Sequence, residues 1–364
     1  MQKMKISFIY IILFFFLTVK ASFSNKFTFS EDFKINKVSD IISLPWGMTL
    51  LNKKEILVTS KSGEIYLIDL MKYKTKKIYS ISDTTSYGQG GLLDIFNVKR
   101  KNLNNIFVCY YSKYENNIVV ARFEFNKSKL TKKRIIFKSN YKSKSSKHFG
   151  CRFTKYNNTI LFSIGDRGDR KNSQNSLNYP GSIIQLNYED NKLYEKRKNW
   201  LNGIFSIGHR NPQGLIYIKE FNQIWSHEHG PKGGDEINII KQGSNYGWPI
   251  VTYGKEYWGA KIGDGIAKEG YVDPIWKWTP SIAPSGMDYY NHDYFKNLKG
   301  SLLVGSLKFK SLYAIKISNQ KPISDNIIFK NKIGRIRDVL VHPDGYILLL
   351  NDENQGGLYK MSKK

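Results

Sequence analysis

The sequence predicts an all-β chain folded as a six-bladed β-propeller of four-stranded antiparallel blades. Three observations lead there. First, a small or turn residue opening an apolar strand, followed by a polar turn and a second strand, occurs six times. Second, these occurrences are spaced by about 45 to 75 residues, the period of a propeller blade rather than of a β-helix, and too many for one sandwich. Third, aromatics make up 14% of the chain and sit with Ile, Val and Thr in short runs, which favours strands.

The repeats run as follows. Trp46-Gly47-Met48 precedes Glu55–Ser60, and Gly91-Leu92-Leu93 precedes Asn105–Tyr110. Arg152-Phe153 precedes Thr159–Gly165, and Gln213-Gly214-Leu215 precedes Gln223–His227. Ser285-Gly286-Met287 precedes Gly300–Gly305, and Arg337-Asp338-Val339 precedes Gly345–Leu350. Further strands follow at Gly63–Leu70, Asn117–Phe125, Ser182–Tyr188, Ser311–Ile317 and Gly357–Met361. A strand from Phe27–Val38 closes the ring by completing the last blade. Extra length falls before His148 and around Tyr246–Trp278, and insertions of this kind build one face of a propeller. Residues Lys138–Lys147 read as a mobile surface loop.

Residues 1–21 stand apart. Lys3 and Lys5 precede an apolar run, Ile6 to Val19, and Lys20-Ala21-Ser22 supplies small residues for cleavage. That run suits a secretory signal peptide and is short for a bilayer span. The expected mature protein, 22–364, is one propeller domain, periplasmic or secreted, with no integral membrane segment. The net charge is +27, but the lysines are scattered and no nucleic-acid-binding motif is present, so nucleic acid is not an expected partner. The only cysteines are Cys109 and Cys151, whose pairing the sequence leaves open.

Chemistry concentrates in glycine-rich segments. His227–Pro249 combines glycines with Asp235 and Glu236 and reads as a Ca²⁺ loop, because carbonyls and carboxylates are hard oxygen ligands. Arginine is rare, ten residues, and six of them lie in unusual segments: Arg152, Arg167, Arg170, Arg210, Arg335 and Arg337. A guanidinium offers a planar fork for carboxylates that Lys lacks. Arg335 and Arg337 are two apart, so on a strand they share a face. His148, with Asp166 and Asp169 downstream, has the makings of a general base held by a carboxylate. His209, His227 and His229 form only a weak zinc pattern. Gln89 is an amide within a glycine turn.

Taken together, LPWGM (44–48), GQGGLLDI (88–95), HFGCRF (148–153) and IGDRGDR (164–170) resemble the soluble pyrroloquinoline-quinone (PQQ) dependent sugar dehydrogenases. So do GHRNPQG (208–214), HEHGPKGGDEIN (227–238), NYGWP (245–249), APSGM (283–287), GSLKFKSLY (305–313) and GRIRDV (334–339), in the same order, and the bacterial aldose sugar dehydrogenase branch is the most similar. The resemblance implies a six-bladed propeller with PQQ over its central channel. It implies His148 as general base, Asp166 as its orienting acid, and Arg210 as the group stabilising charge on the quinone oxygen. Gln89, Arg210, Asn211, Tyr257, Lys308, Arg335 and Arg337 match cofactor-binding positions. Gly230 and Pro231 match carbonyl ligands of a catalytic Ca²⁺, and Glu236 and Tyr246 match ligands of a structural one. The implied reaction oxidises an aldose at C1 to the lactone and passes electrons to an external acceptor, a cytochrome or quinone. A non-catalytic ligand-binding propeller and a Ca²⁺-dependent lactonase are the competing readings. The lactonase would need a carboxylate-ringed channel where this chain offers cations. Cys151 departs from the family, which usually has Gly there.

Overall fold

From Pro45 onward the strands pair antiparallel with their sequence neighbours in groups of four, and the first and last strands of the chain meet in the final group, giving six four-stranded sheets. The computed structural model describes residues 29–195 and 198–364, so the expected signal peptide lies outside the described residues. The first strands of the blades are Pro45–Asn52, Leu92–Arg100, Phe153–Tyr156, Pro212–Ile218, Pro284–Tyr290 and Ile336–Val341. They contact one another around the ring and so form its inner wall. Phe33–Lys37 pairs with Leu358–Lys363, so the N-terminal strand closes the last blade.

Burial falls from the axis outward. Thr159–Ile164 and Ser301–Ser306 are buried at every position, whereas Lys74–Ser80 is largely exposed. Apolar clusters fill the spaces between blades. One joins the second and third blades through Leu93, Phe107, Val120, Phe149 and Phe162.

The axis is polar. Inner strands carry N–H groups at their edges that need acceptors, and side chains from the preceding blade supply them. Thr49 accepts from the Asn97 N–H, Asp94 from Phe153, Thr154 from Tyr217, Asp288 from Val341, and Asp338 from Met48. This explains the recurring glycines. A Cβ on Gly47 would lie 2.6 Å from Asp94 Oδ1, and one on Gly286 would lie 2.0 Å from Asp338 Oδ1.

Arg152 fills the centre of this ring. Its Nη1 lies 3.2 Å from Asp94 Oδ1 and 2.9 Å from Asp338 Oδ1, and its guanidinium covers the Trp46 ring at 4.0 Å. Burial pushes the Asp94 carboxyl up to about 7, with Arg152 opposing that rise. Arg152→Met leaves two buried carboxylates facing each other, and is expected to lower stability by about 3–5 kcal/mol. Urea unfolding checks this. The loss should shrink on going from pH 8 to pH 5, because carboxyls with raised folded pKa values destabilise the fold as pH rises.

Two features differ from expectation. The segment His227–Pro249 is not one loop: Asp235–Ile240 is the third strand of the fourth blade, between Gln223–Glu228 and Trp276–Trp278. Its alternation is too short to stand out among the glycines. The loop before His148 is tied down: Ser146 O accepts from Gln89 N, and Arg167 donates to the carbonyls of Ser145 and Lys147. Cys109 and Cys151 form a disulfide across 42 residues. In the chain-entropy view, closing a loop of that size stabilises by about 3–4 kcal/mol.

Candidate active site

The turns that lead into the first strands converge at one end of the axis. Two adjoining cavities lie there, of ≈ 500 and ≈ 460 Å³, sharing Gln89, His229, Ala283 and Lys308 in their walls. His148, Arg210, Gly230, Pro231 and Tyr257 line the first; Asn211, Arg335 and Arg337 line the second. Every expected cofactor-binding residue therefore lines one cleft. Tyr257 reaches it from the long insertion with its side chain 73% exposed, as a mouth residue does. Glu236 and Tyr246 are not among the lining residues.

His148 sits in the turn before the third blade with φ 52°. Its N–H donates to Gln89 Oε1 at 2.8 Å, and its carbonyl accepts from Arg167 N. Its Nδ1 lies 2.6 Å from Asp166 Oδ1. Asp166 accepts in addition from the Trp248 indole at 2.9 Å and the Gly168 N–H at 2.7 Å. An ionised Asp166 only accepts, so Nδ1 carries the proton and Nε2 keeps its lone pair. Burial lowers the His148 pKa, the bond to Asp166 opposes this, and Arg210 lowers it further; the net result is below the ordinary value. Burial raises Asp166, but the contacts with His148, Gly168 and Trp248 outweigh that and hold its carboxyl low.

Glu228 sets the next group. One oxygen takes the His209 Nδ1 contact at 2.9 Å, and the other accepts from the Arg210 and Asn211 N–H groups. Arg210 Nη1 then donates to the carbonyls of His229 and Gly230. Asn211 Oδ1 accepts from Gly150 N and from Gln213 Nε2. Arg335 and Arg337 both reach Asp352 Oδ2, at 3.0 and 2.8 Å. Burial would raise Asp352, yet Arg337 and then Arg335 hold its carboxyl down at about 2. Two buried donors, Arg210 Nε and Arg337 Nε, have no partner among the described residues.

The other expected residues separate by role. Arg152 and Arg167 are structural, and Arg170 pairs with Glu256 at the surface. His209 is held by Ser206 and Glu228, and His229 Nε2 contacts Pro284 O; burial pushes His229 down to about 3, so it is neutral. Asp235 accepts from Gly230 N and Ala283 N, which shapes the Gly230-Pro231 turn. Glu236 faces Glu228 across the strand pair, and burial pushes it up to about 8. The Tyr246 ring stacks on His209, and its hydroxyl is bonded to the Ile239 and Lys241 backbone. Asp352, Glu228 and Trp248 are the residues that sequence reasoning did not assign. Only Trp248 had a signal, its place in NYGWP.

The glucose/sorbosone dehydrogenase family model matches residues 42–360. An aldose sugar dehydrogenase of Escherichia coli K12, YliI, is 32% identical over 91% of this chain and 93% of its own length. The crystal structure of the soluble aldose sugar dehydrogenase of Escherichia coli in its apo form superposes with a TM-score of 0.83 at 29% identity, over 91% of this chain and 100% of that one. The PQQ-bound form of an aldose sugar dehydrogenase from Streptomyces coelicolor shares the fold, with a TM-score of 0.77 at 20% identity over 93% of this chain and 99% of that one. This chain belongs to the glucose/sorbosone dehydrogenase family.

Proposed function

We propose that the protein is a quinoprotein that oxidises an aldose at C1 to the lactone, using PQQ and Ca²⁺, and passes the electrons to an external acceptor. The observation that carries this reading is the convergence, in one cleft, of a histidine of fixed tautomer with Arg210, Lys308, Arg335 and Arg337.

PQQ is flat and carries three carboxylates, so a cavity rich in guanidinium groups suits it. The Nε donors of Arg210 and Arg337 need acceptors, and none of the described residues provides one. Gln89 and Asn211 add amides at the same walls. Gly230 and Pro231 line the cleft, and their carbonyls are hard ligands of the kind Ca²⁺ takes. The Gly230 carbonyl accepts one bond, from Arg210 Nη1, and keeps a second lone pair, whereas the Pro231 carbonyl accepts from Ser281 Oγ and Gly234 N and would exchange one of these bonds for the ion. Glu236, raised by burial beside Glu228, is the kind of carboxylate a divalent ion would keep ionised. Among the described residues no group of three His, Cys, Asp or Glu side chains is poised for a metal, so these sites rest on carbonyls and single carboxylates.

Held by Gln89, Asn211, Lys308, Arg335 and Arg337, PQQ would supply the acceptor for the hydride leaving C1, and Ca²⁺ at Gly230 and Pro231 would supply Lewis-acid chemistry. His148 Nε2 takes the proton of the anomeric hydroxyl while Asp166 stabilises the imidazolium that forms. Arg210 presents N–H donors where negative charge develops. Tyr257 and Pro280 line the cleft wall, where they would flank a sugar bound beside His148. The expected leader sequence places the mature chain in the periplasm or outside the cell. Among the described residues no helix is long and apolar enough to cross a membrane.

Reconstitution tests the reading. Purified protein loaded with PQQ and Ca²⁺ should reduce an artificial dye when an aldose is added, and should lose activity on chelation or when either component is omitted. No dye reduction and no change in quinone absorbance across a panel of aldoses would leave a ligand-binding propeller instead.

A further inference from the structure

We propose that the Cys109–Cys151 disulfide is a positioning element for His148, joining two blades beside the base so that its side chain stays aimed into the cleft. The proposal rests on the reading of His148 as the base. Cys109 lies in Leu103–Tyr111, the second strand of the second blade, and Cys151 lies three residues after His148, just before the first strand of the third blade. The bridge therefore crosses the junction between these blades.

The same junction separates His148 from Gln89. Gln89 belongs to the turn leading into the second blade, and it accepts the His148 N–H. A small rotation of one blade against the other would break that bond and turn the imidazole away from the cleft. Phe149 packs edge-on against Tyr111 across the junction, with ring centroids 5.3 Å apart. The apolar cluster and the Asp94 bonds to Phe153 and Arg152 also join these blades, and the bridge adds a covalent limit on their spacing beside His148.

The backbone shows why a brace is needed here. His148, Gly150 and Cys151 have φ of 52°, 66° and 69°, in the left-handed region. L-residues with a Cβ disfavour it, so two of the three are held there by their surroundings. Gly150 has no room to adjust: a Cβ on it would lie 2.7 Å from Gly165 N. Cys151 N donates to Ser163 O, which leaves its sulfur directed at the second blade. Both cysteines are fully buried, so the bridge is a fixed brace and not a switch exposed to solution reductants.

The test compares the wild-type chain with Cys109→Ala/Cys151→Ala and Cys109→Ala/Cys151→Gly, first without cofactor. Hydrogen exchange of the amides of residues 148–151 should quicken by about 10-fold or more in the alanine pair, while Thr159–Ile164 keeps its protection. The His148 imidazole, followed by NMR, should titrate closer to a free histidine as its burial against Asp166, Arg167, Arg210 and His229 loosens. After loading, kcat should fall by about 10-fold with the sugar KM unchanged. Glycine at 151 relieves the left-handed position and should recover part of both readouts; it also serves if the alanine pair does not fold. Lower melting temperature with unchanged exchange at 148–151 and unchanged His148 titration would overturn the proposal, leaving the bridge as a stabiliser of the fold alone. If the loaded wild type shows no sugar oxidation, the functional reading fails, while the exchange and titration results still decide the brace.

Discussion

His148→Ala is expected to lower sugar-dependent dye reduction by about 10²–10⁴-fold while leaving PQQ titration nearly unchanged, since a positioned base contributes on that scale. The side chain lines the cleft, but the cations that suit the quinone are elsewhere in its wall, so binding and turnover should separate. Normal turnover in the variant would remove the base assignment. The pH profile gives a second check. His148 has a pKa below 6.5, so the neutral, competent form persists into mildly acidic solution. The acid limb of kcat/KM should therefore lie below 6.5 and decline as pH falls through it. Asp166→Asn separates charge from tautomer. Removing the carboxylate takes away the two contributions that raise His148, so the acid limb should move to still lower pH. Turnover should nevertheless drop, because nothing then fixes the proton on Nδ1. A higher rate in that variant would show that the fraction of unprotonated imidazole, and not the tautomer set by Asp166, limits the reaction.

The blade count was readable because each inner strand opens on a small residue, and the structure gives the reason: Gly47 and Gly286 leave space for Asp94 and Asp338 of the adjoining blade. That constraint is local in sequence and repeats. Asp235–Ile240 escaped notice because its strand character depends on pairing with Gln223–Glu228, and glycines and adjacent acids mask its apolar alternation. The cleft residues were legible as scattered motifs, since chemistry demands unusual residue types. Their supports were not. Asp352 is a plain aspartate at the end of a strand, and only the fold brings it to Arg335 and Arg337. Glu228 carried no assignment from the sequence, yet it works as an acceptor for two backbone N–H groups and a histidine. The cysteine pair is similar. The two lie 42 positions apart along the chain, and only the packing of neighbouring blades brings their Cα atoms to 5.8 Å.

Arg337→Ala is expected to weaken PQQ binding by about 100-fold, and Arg335→Ala by about 10-fold, the range for losing charge-assisted hydrogen bonds. The order follows from burial: the Arg337 side chain is 9% exposed and Arg335 42%, so the charge of Arg337 is the less screened by water. Cofactor titration by absorbance or calorimetry measures both, and raising the salt should weaken the wild type more than Arg337→Ala. Arg337→Lys should recover only part of the loss, because an ammonium cannot hold Asp352 and a ligand carboxylate with a planar fork. Equal affinity in all four proteins would take this wall out of the binding site. The same substitution carries a stability signature. Asp352 is held at about 2, so its folded-state ionisation stabilises the protein above the ordinary carboxyl pKa, and that contribution disappears as pH falls through 2. Without Arg337 the folded pKa rises, because burial is then opposed mainly by Arg335, with Lys61 as a further cation nearby. The acid-unfolding transition of Arg337→Ala should therefore begin at higher pH than that of the wild type.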